Sequence, residues 1–305
     1  MPFSVILILV ISVKKIIVIV GPTGVGKTKL SIELAKKLNA EIINADSTQI
    51  YKEINIGTAK IEDNEMENII HHLINTRELT EDYTVYDYQI ESRKILENIL
   101  DRNKTAIIVG GSGLYLSALL YDYCFTKGDN VYDIDSLDNN EMYKTLINKH
   151  PDLKIDKHNR QRLIRAYAKH INNSEELTSD NGGQNLLYDC LFIGLTTTRD
   201  VLYNKINHRV DKMIEDGLIN EVRTLFNKYP TSKQLSTTIG YKEFKDYING
   251  NDYLENVLIN IKQNTRNYAK RQYTWLNHKM DVQWFTTDYD NFNNTIKKVI
   301  TYIKE

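Results

Sequence analysis

The segment Gly21-Pro22-Thr23-Gly24-Val25-Gly26-Lys27-Thr28 fits the spacing G-x-x-x-x-G-K-[ST]. Its glycines let backbone N–H groups close on phosphate oxygens. Lys27 supplies a full positive charge, and the Thr28 hydroxyl is suited to ligate Mg²⁺. The pattern recognises a shape and a charge, so a nucleotide and a non-nucleotide diphosphate suit it equally. Downstream, the apolar run in "IINADSTQIYKEINIGTAK" (42–60) ends at Asp46. A carboxylate there reads as a metal-holding group beside a nucleotide or as a base for other chemistry. Ser47, Thr48 and Gln49 follow as pocket lining or as turn polarity. Ser112 follows Gly110-Gly111, where backbone can approach a ligand closely. Lys205, Arg209 and Lys212 share one helical face, which is either solvated or turned to phosphate oxygens.

These residues need elements to hold them. "KKIIVIV" (14–20) is a continuous β-branched run, as expected of a strand buried on both faces of a parallel sheet. "TKLSIELAKKL" (28–38) has helical apolar spacing. "AEIINA" reads as a second strand, 85–100 as a helix, and "TAIIVGGSGLY" (105–115) as a strand that breaks at its glycines. Alternating strands and helices predict an α/β fold with ligand at the strands' C-terminal ends: a P-loop-containing parallel sheet flanked by helices. From 122 to 185 polar residues dominate, which predicts a mainly helical insertion with a loose tip at "NNSEELTSDNGGQN". "LYDCLFIGLTT" reads as a returning strand, followed by long helices over about 199–228 and 251–277. The resulting division is an extension over 1–13, a core of 14–121 with 186–305, and the insertion.

The 305 residues are ordinary in composition, with 41% apolar and 26% charged residues and a net charge of −1. Cys124 and Cys190 are far apart and lack CxxC spacing, which argues against a disulfide framework or a zinc site and fits a reducing cytoplasm. "MPFSVILILVIS" is too short to span a bilayer and lacks the flanks of a signal peptide; it reads as an extension from a misassigned start near Val13. Local charge departs from the global balance. Lys157, Arg160, Arg162, Arg165 and Lys169 lie in one acid-free segment, and Lys262, Arg266, Lys270, Arg271 and Lys279 in another. Tyr268, Tyr273 and Trp275 interleave with the second. Each stripe alone reads as a solvated helix face or as a surface that tracks a nucleic-acid backbone and stacks unpaired bases.

Taken in order, "GPTGVGKT", "NADSTQIYKEINIGTAK", "HHLIN", "YTVYDY", "GGSGLYLSALL", "NRQRLIRA", "RVDKMIEDGLINEVRTL", "TTIGYKEF" and "TRNYAKRQYTW" resemble the tRNA dimethylallyltransferases from about Lys14 to Trp275. The loop departs from the family at Gly24-Val25, where Ala-Ser is usual, and Ser112 stands where Thr is usual. The insertion is shorter than usual, and no C-terminal Cys/His module follows. The resemblance implies transfer of a dimethylallyl group from its diphosphate to N6 of the adenosine 3′-adjacent to the anticodon (the family's position 37), in tRNAs reading codons that begin with U. It implies Asp46 as general base, with Thr23 and Arg209 at the reacting centre. Residues Gly21 to Thr28, Arg209 and Mg²⁺ would hold the diphosphate, Thr28 being the metal ligand. It also implies tRNA contacts at Asp46, Ser47, Thr48, Gln49, Ser112, Gln161, Arg162, Leu163, Ile164, Arg165, Lys270 and Arg271. The partners are then a tRNA anticodon stem-loop and dimethylallyl diphosphate, with no membrane; the enzyme is expected to be a cytoplasmic monomer. Competing readings are prenylation of free adenylates, which would not need the basic stripes, a P-loop kinase, which would need an Arg-rich lid, and a binding module without chemistry.

Overall fold

The computed structural model describes residues 16–123, 137–171 and 185–305. The N-terminal extension, Cys124 and the "NNSEELTSDNGGQN" tip lie mostly or wholly outside them. The chain divides into two compact units, Met1–Leu120 with Tyr188–Glu305, and Tyr121–Leu187.

The larger unit is built on a six-stranded sheet in the order β3-β2-β4-β1-β5-β6. Its strands are β1 Ile16–Val20, β2 Ala40–Asn44, β3 His71–His72, β4 Thr105–Val109, β5 Cys190–Thr196 and β6 Gln283–Thr286. Every pairing is parallel, with Ile17 opposite Ile107 on one side and Leu191 on the other. All five residues of β1 are buried, as a central strand covered on both faces requires. The helices are α1 Lys27–Leu38, α2 Val85–Asp101, α3 Gly113–Leu120, α4 Asn139–Lys149, α5 Arg160–Ile171, α6 Arg199–Glu215, α7 Leu218–Lys228, α8 Lys233–Thr237, α9 Lys245–Ile248, α10 Leu254–Lys279 and α11 Phe292–Lys304. Ile17, Ile19, Leu30, Leu34, Ile107, Ile193, Leu202, Ile206, Ala269, Ile296 and Val299 join strands and helices in one apolar core.

The long helix expected over 199–228 is two helices. Gly217 adopts a left-handed conformation (φ 100°) between α6 and α7, which a side chain would strain. The apolar stripe continues across the break, so periodicity alone did not reveal it. Several elements had no sequence expectation, β3, β6 and α11 among them. The strand β3 is two residues long, and β6 with α11 follows the last segment carrying a recognisable motif. Among the described residues, no helix is long and apolar enough to cross a membrane.

The smaller unit contains α4 and α5, packed through Met142, Leu146, Leu163 and Ala168. Its chain ends meet where Asp122 and Asn185 exchange hydrogen bonds, including Asn185 Nδ2 to Asp122 Oδ2 at 2.7 Å.

Candidate active site

Because β1 is central and parallel, its C-terminal end delivers Gly21–Gly26 to the middle of one sheet edge, and α1 begins there. Gly26 is left-handed (φ 94°), and a Cβ on it would lie 2.6 Å from the Phe292 ring. Lys27 Nζ donates to Pro22 O at 2.7 Å. Burial lowers the Lys27 pKa to about 8, with Arg209 acting in the same direction and Asp46 opposing. A group depressed by burial and by a neighbouring cation is stabilised in its charged form by an incoming anion.

Arg209 reaches the loop from α6. Its Nη1 donates to Thr23 Oγ1 at 2.9 Å and its Nη2 to Ala59 O at 3.4 Å. Burial lowers its pKa, and the Asp46 carboxylate opposes that shift. Two cations and one carboxylate therefore share a partly dehydrated space, leaving an excess positive charge for phosphate oxygens. Thr23 is held from a second direction, because its N–H donates to Gln272 Oε1 at 3.2 Å. Gln272 Nε2 donates to Gly111 O at 3.1 Å, so this buried amide ties the loop to the end of β4. The sequence reading missed Gln272; its signal, an uncharged residue inside the basic segment of α10, is weak.

Asp46 stands just beyond β2. The buried Asn44 holds its backbone, accepting from Asp46 N–H at 3.1 Å and donating to Asp46 O at 3.1 Å. Asp46 Oδ1 accepts from Thr48 N–H at 2.9 Å and from the Thr48 hydroxyl at 2.7 Å. Among the described residues, Oδ2 takes no hydrogen bond. One oxygen is thereby anchored and the other is left to accept a proton. Gln49 Nε2 donates to Thr58 O at 3.3 Å, holding the following loop. Glu221 of α7 gathers that loop by accepting from the N–H groups of Asn55, Ile56 and Gly57 and from the Tyr241 hydroxyl. Lys60, 8% exposed, completes it by donating to Tyr51 O, Asn55 Oδ1 and Asn75 Oδ1. Neither Glu221 nor Lys60 was singled out from sequence.

Thr23, Lys27, Thr28, Asp46, Ser47, Thr48, Gln49, Ser112, Arg209 and Arg271 line one cavity of about 1470 Å³. Thr28 is exposed, and among the described residues its hydroxyl makes no hydrogen bond, so its lone pairs are available to a cation. Among the described residues, no group of three His, Cys, Asp or Glu side chains could hold a metal ion. A lone hydroxyl of this kind would suit Mg²⁺ completed by phosphate oxygens and water, a cation that takes few protein ligands.

Several expected contact residues have other work. Lys262 pairs with Asp211 at 2.5 Å, and Arg266 Nη1 donates to Asn207 Oδ1 at 2.6 Å. Two cations of the α10 stripe are thus turned onto α6. The Tyr273 hydroxyl bonds Thr196 Oγ1 at 2.8 Å and its ring packs on Trp284, so it is not a platform for bases. Lys270 and Arg271 remain exposed, lining a shallow cleft with Trp275 and Lys279. In the smaller unit, Leu163 is fully buried and Ile164 packs against the same core, so these side chains are structural. Arg160 donates to Leu137 O and Asn139 Oδ1. Arg162 is exposed, and the side chains of Gln161, Arg165 and Lys169 lie outside the described residues.

Comparison with known proteins adds the decisive observation: the IPP transferase family model matches residues 49–279. The chain belongs to the IPP transferase family. The tRNA dimethylallyltransferase of Macrococcus caseolyticus is 41% identical over 298 residues, which covers 94% of this chain and 96% of the relative. The full-length tRNA isopentenylpyrophosphate transferase of Bacillus halodurans superposes with a TM-score of 0.73 at 37% identity, covering 95% of each chain. A eukaryotic dimethylallyltransferase acting on tRNA superposes at 0.78 with 32% identity, covering 94% of this chain and 77% of its own. As an IPP transferase the chain is an enzyme, a prenyltransferase with the P-loop fold.

Proposed function

We propose that this IPP transferase moves a dimethylallyl group from dimethylallyl diphosphate to N6 of the adenosine 3′-adjacent to the anticodon, in tRNAs reading codons that begin with U. The product is N6-isopentenyladenosine. The observation that carries the chemistry is the Asp46 carboxylate, anchored at Oδ1 and free at Oδ2, in one cavity with Thr23, Lys27 and Arg209.

The allylic C–O bond breaks and its electron pair leaves with the diphosphate. Lys27, Arg209 and the N–H groups of the phosphate loop face the charge that develops there. N6 is a weak nucleophile because its lone pair is delocalised into the ring. The C–N bond forms from that lone pair, and the N6 proton passes to Asp46 Oδ2. Thr23 Oγ1 accepts from Arg209 and keeps the guanidinium aimed at the loop. Thr28 would hold Mg²⁺, which when bound would supply further positive charge beside the leaving group. A base stacked in a loop does not reach Asp46, so the adenosine must turn out of its stack into the cavity. Ser47, Gln49 and Ser112 line the space it would take, and Lys270, Arg271 and Arg162 are cations available to the tRNA backbone. The enzyme is read as a cytoplasmic monomer.

The test is incubation with Mg²⁺ and dimethylallyl diphosphate, offering unmodified tRNA or AMP. Prenylated adenosine from tRNA alone is expected. Product from AMP alone, or phosphorylation of a nucleoside by ATP, would overturn the reading.

A further inference from the structure

Beyond the matched residues 49–279, the chain returns to the phosphate loop. Strand β6 is parallel to β5, with Thr286 opposite Thr196, so its C-terminal end arrives on the same sheet edge as the loop. Thr287 N–H donates to Thr196 O at 2.8 Å, which fixes the residue just past the strand. Its hydroxyl, buried with the residue, donates to Val25 O at 2.9 Å. Two residues on, the Tyr289 hydroxyl donates to Gly24 O at 3.1 Å. The Tyr289 ring is itself capped by Lys205, with Nζ 4.7 Å from its centroid.

We infer that Thr287 and Tyr289 are positioning residues for the donor diphosphate, acting through the backbone of the phosphate loop. The reason is peptide geometry. A carbonyl and the N–H that follows it share one planar trans unit and point opposite ways. A donor on Gly24 O therefore sets the direction of Val25 N–H, and a donor on Val25 O sets that of Gly26 N–H. A glycine-rich loop has many backbone states, and each fixed carbonyl removes some before the anion arrives. The two hydroxyls meet Val25 O and Gly24 O, so they act on successive peptides. Neither needs to touch the substrate.

The inference rests on the loop holding the diphosphate donor, and the experiment separates the two. Thr287→Val, Tyr289→Phe and the double variant are compared with wild type by KM for dimethylallyl diphosphate at saturating tRNA, and by KM for tRNA at saturating donor. One lost hydrogen bond corresponds to roughly 2- to 12-fold, so we expect donor KM to rise about threefold in each single variant and about tenfold in the double. The tRNA KM stays at the wild-type value, and Thr287→Ser, which keeps the hydroxyl, restores the donor KM. Should Thr287→Val fail to fold, Tyr289→Phe decides alone, because it removes one partly exposed oxygen and keeps the ring. Donor KM unchanged in the variants, or donor and tRNA KM rising together, would overturn the inference. A wild-type protein that makes no prenylated tRNA would instead overturn the proposed function.

Discussion

Asp46 is defined by what its two oxygens do. Thr48 occupies Oδ1 through both its N–H and its hydroxyl, so the carboxylate cannot rotate freely, and Asp46 lines the cavity. Asp46→Asn keeps the shape and removes the basic oxygen. Turnover is expected to fall by about 10²- to 10⁴-fold, with donor affinity close to wild type, in single-turnover assays over a range of donor concentrations. Parallel loss of donor binding and turnover would make Asp46 a metal ligand or a structural residue instead. At the same scale, Lys270 and Arg271 are exposed cations of α10, whereas Lys262 and Arg266 are turned onto α6. Lys270→Ala with Arg271→Ala should raise the tRNA KM and flatten its dependence on salt by about one to two in the log–log slope, leaving the donor KM unchanged. An unchanged slope would remove them from the tRNA surface.

At the scale of elements, the loop over 46–60 is shaped from outside itself. Glu221 of α7 supplies acceptors for three consecutive N–H groups, and Tyr241 bridges by donating to Glu221 Oε1 at 2.6 Å while accepting from Gly57 N–H at 3.1 Å. A Cβ on Gly57 would lie 2.5 Å from the Tyr241 ring, so the loop and the ring are in direct contact. The loop's reward for this is the position of Ala59 O, which Arg209 uses. Glu221→Gln replaces one acceptor with a donor that faces N–H groups. We expect the urea midpoint to fall by the equivalent of about 1–3 kcal/mol and the donor KM to rise, because Arg209 loses a fixed partner. A destabilised variant with wild-type donor KM would show that the loop does not transmit to Arg209.

At the scale of the whole molecule, a second charged centre lies at the start of β2, the opposite end of that strand from Asp46. Glu41, 3% exposed at its side chain, accepts from Arg102, from Lys104 Nζ at 2.9 Å and from His72 Nε2 at 2.9 Å. This joins β2, β3, the end of α2 and the start of β4. The Arg102 guanidinium holds the Glu41 carboxyl well below the usual carboxylate range, Lys104 and His72 add to that, and burial opposes it. A carboxylate whose pKa is depressed on folding stabilises the fold above its unfolded pKa, and the contribution disappears as pH falls towards the folded value. The partners are 40% and 31% exposed for Arg102 and Lys104, so solvent screens part of the interaction. Glu41→Gln is expected to cost about 2 kcal/mol near neutral pH, below the range for a fully buried pair. The difference between wild type and variant should shrink as pH drops from about 5 to about 2, in urea titrations at each pH. A difference that stays constant with pH would assign the loss to packing.

The sequence by itself determined what rests on local pattern. The phosphate loop needs its glycines, lysine and threonine at set spacing, β1 and β4 need unbroken apolar runs, and Asp46 follows such a run at the binding end of the sheet. Helix spacing likewise exposed α1, α2 and α10, and ordered motifs carried the family. Tertiary structure decided what depends on residues distant in the chain. The basic stripe of α10 is acid-free only in sequence, because α6 brings the carboxylate of Asp211 to Lys262, and it also brings the amide of Asn207 to Arg266. Gln272, Glu221, Thr287 and Tyr289 act on backbone groups more than 160 positions away, as Asn55 N–H on Glu221 illustrates at a separation of 166. Backbone N–H and C=O groups are the same at every position and leave no mark in residue type. Which of them a side chain meets is settled only when the sheet closes its order and brings the strand ends to one edge.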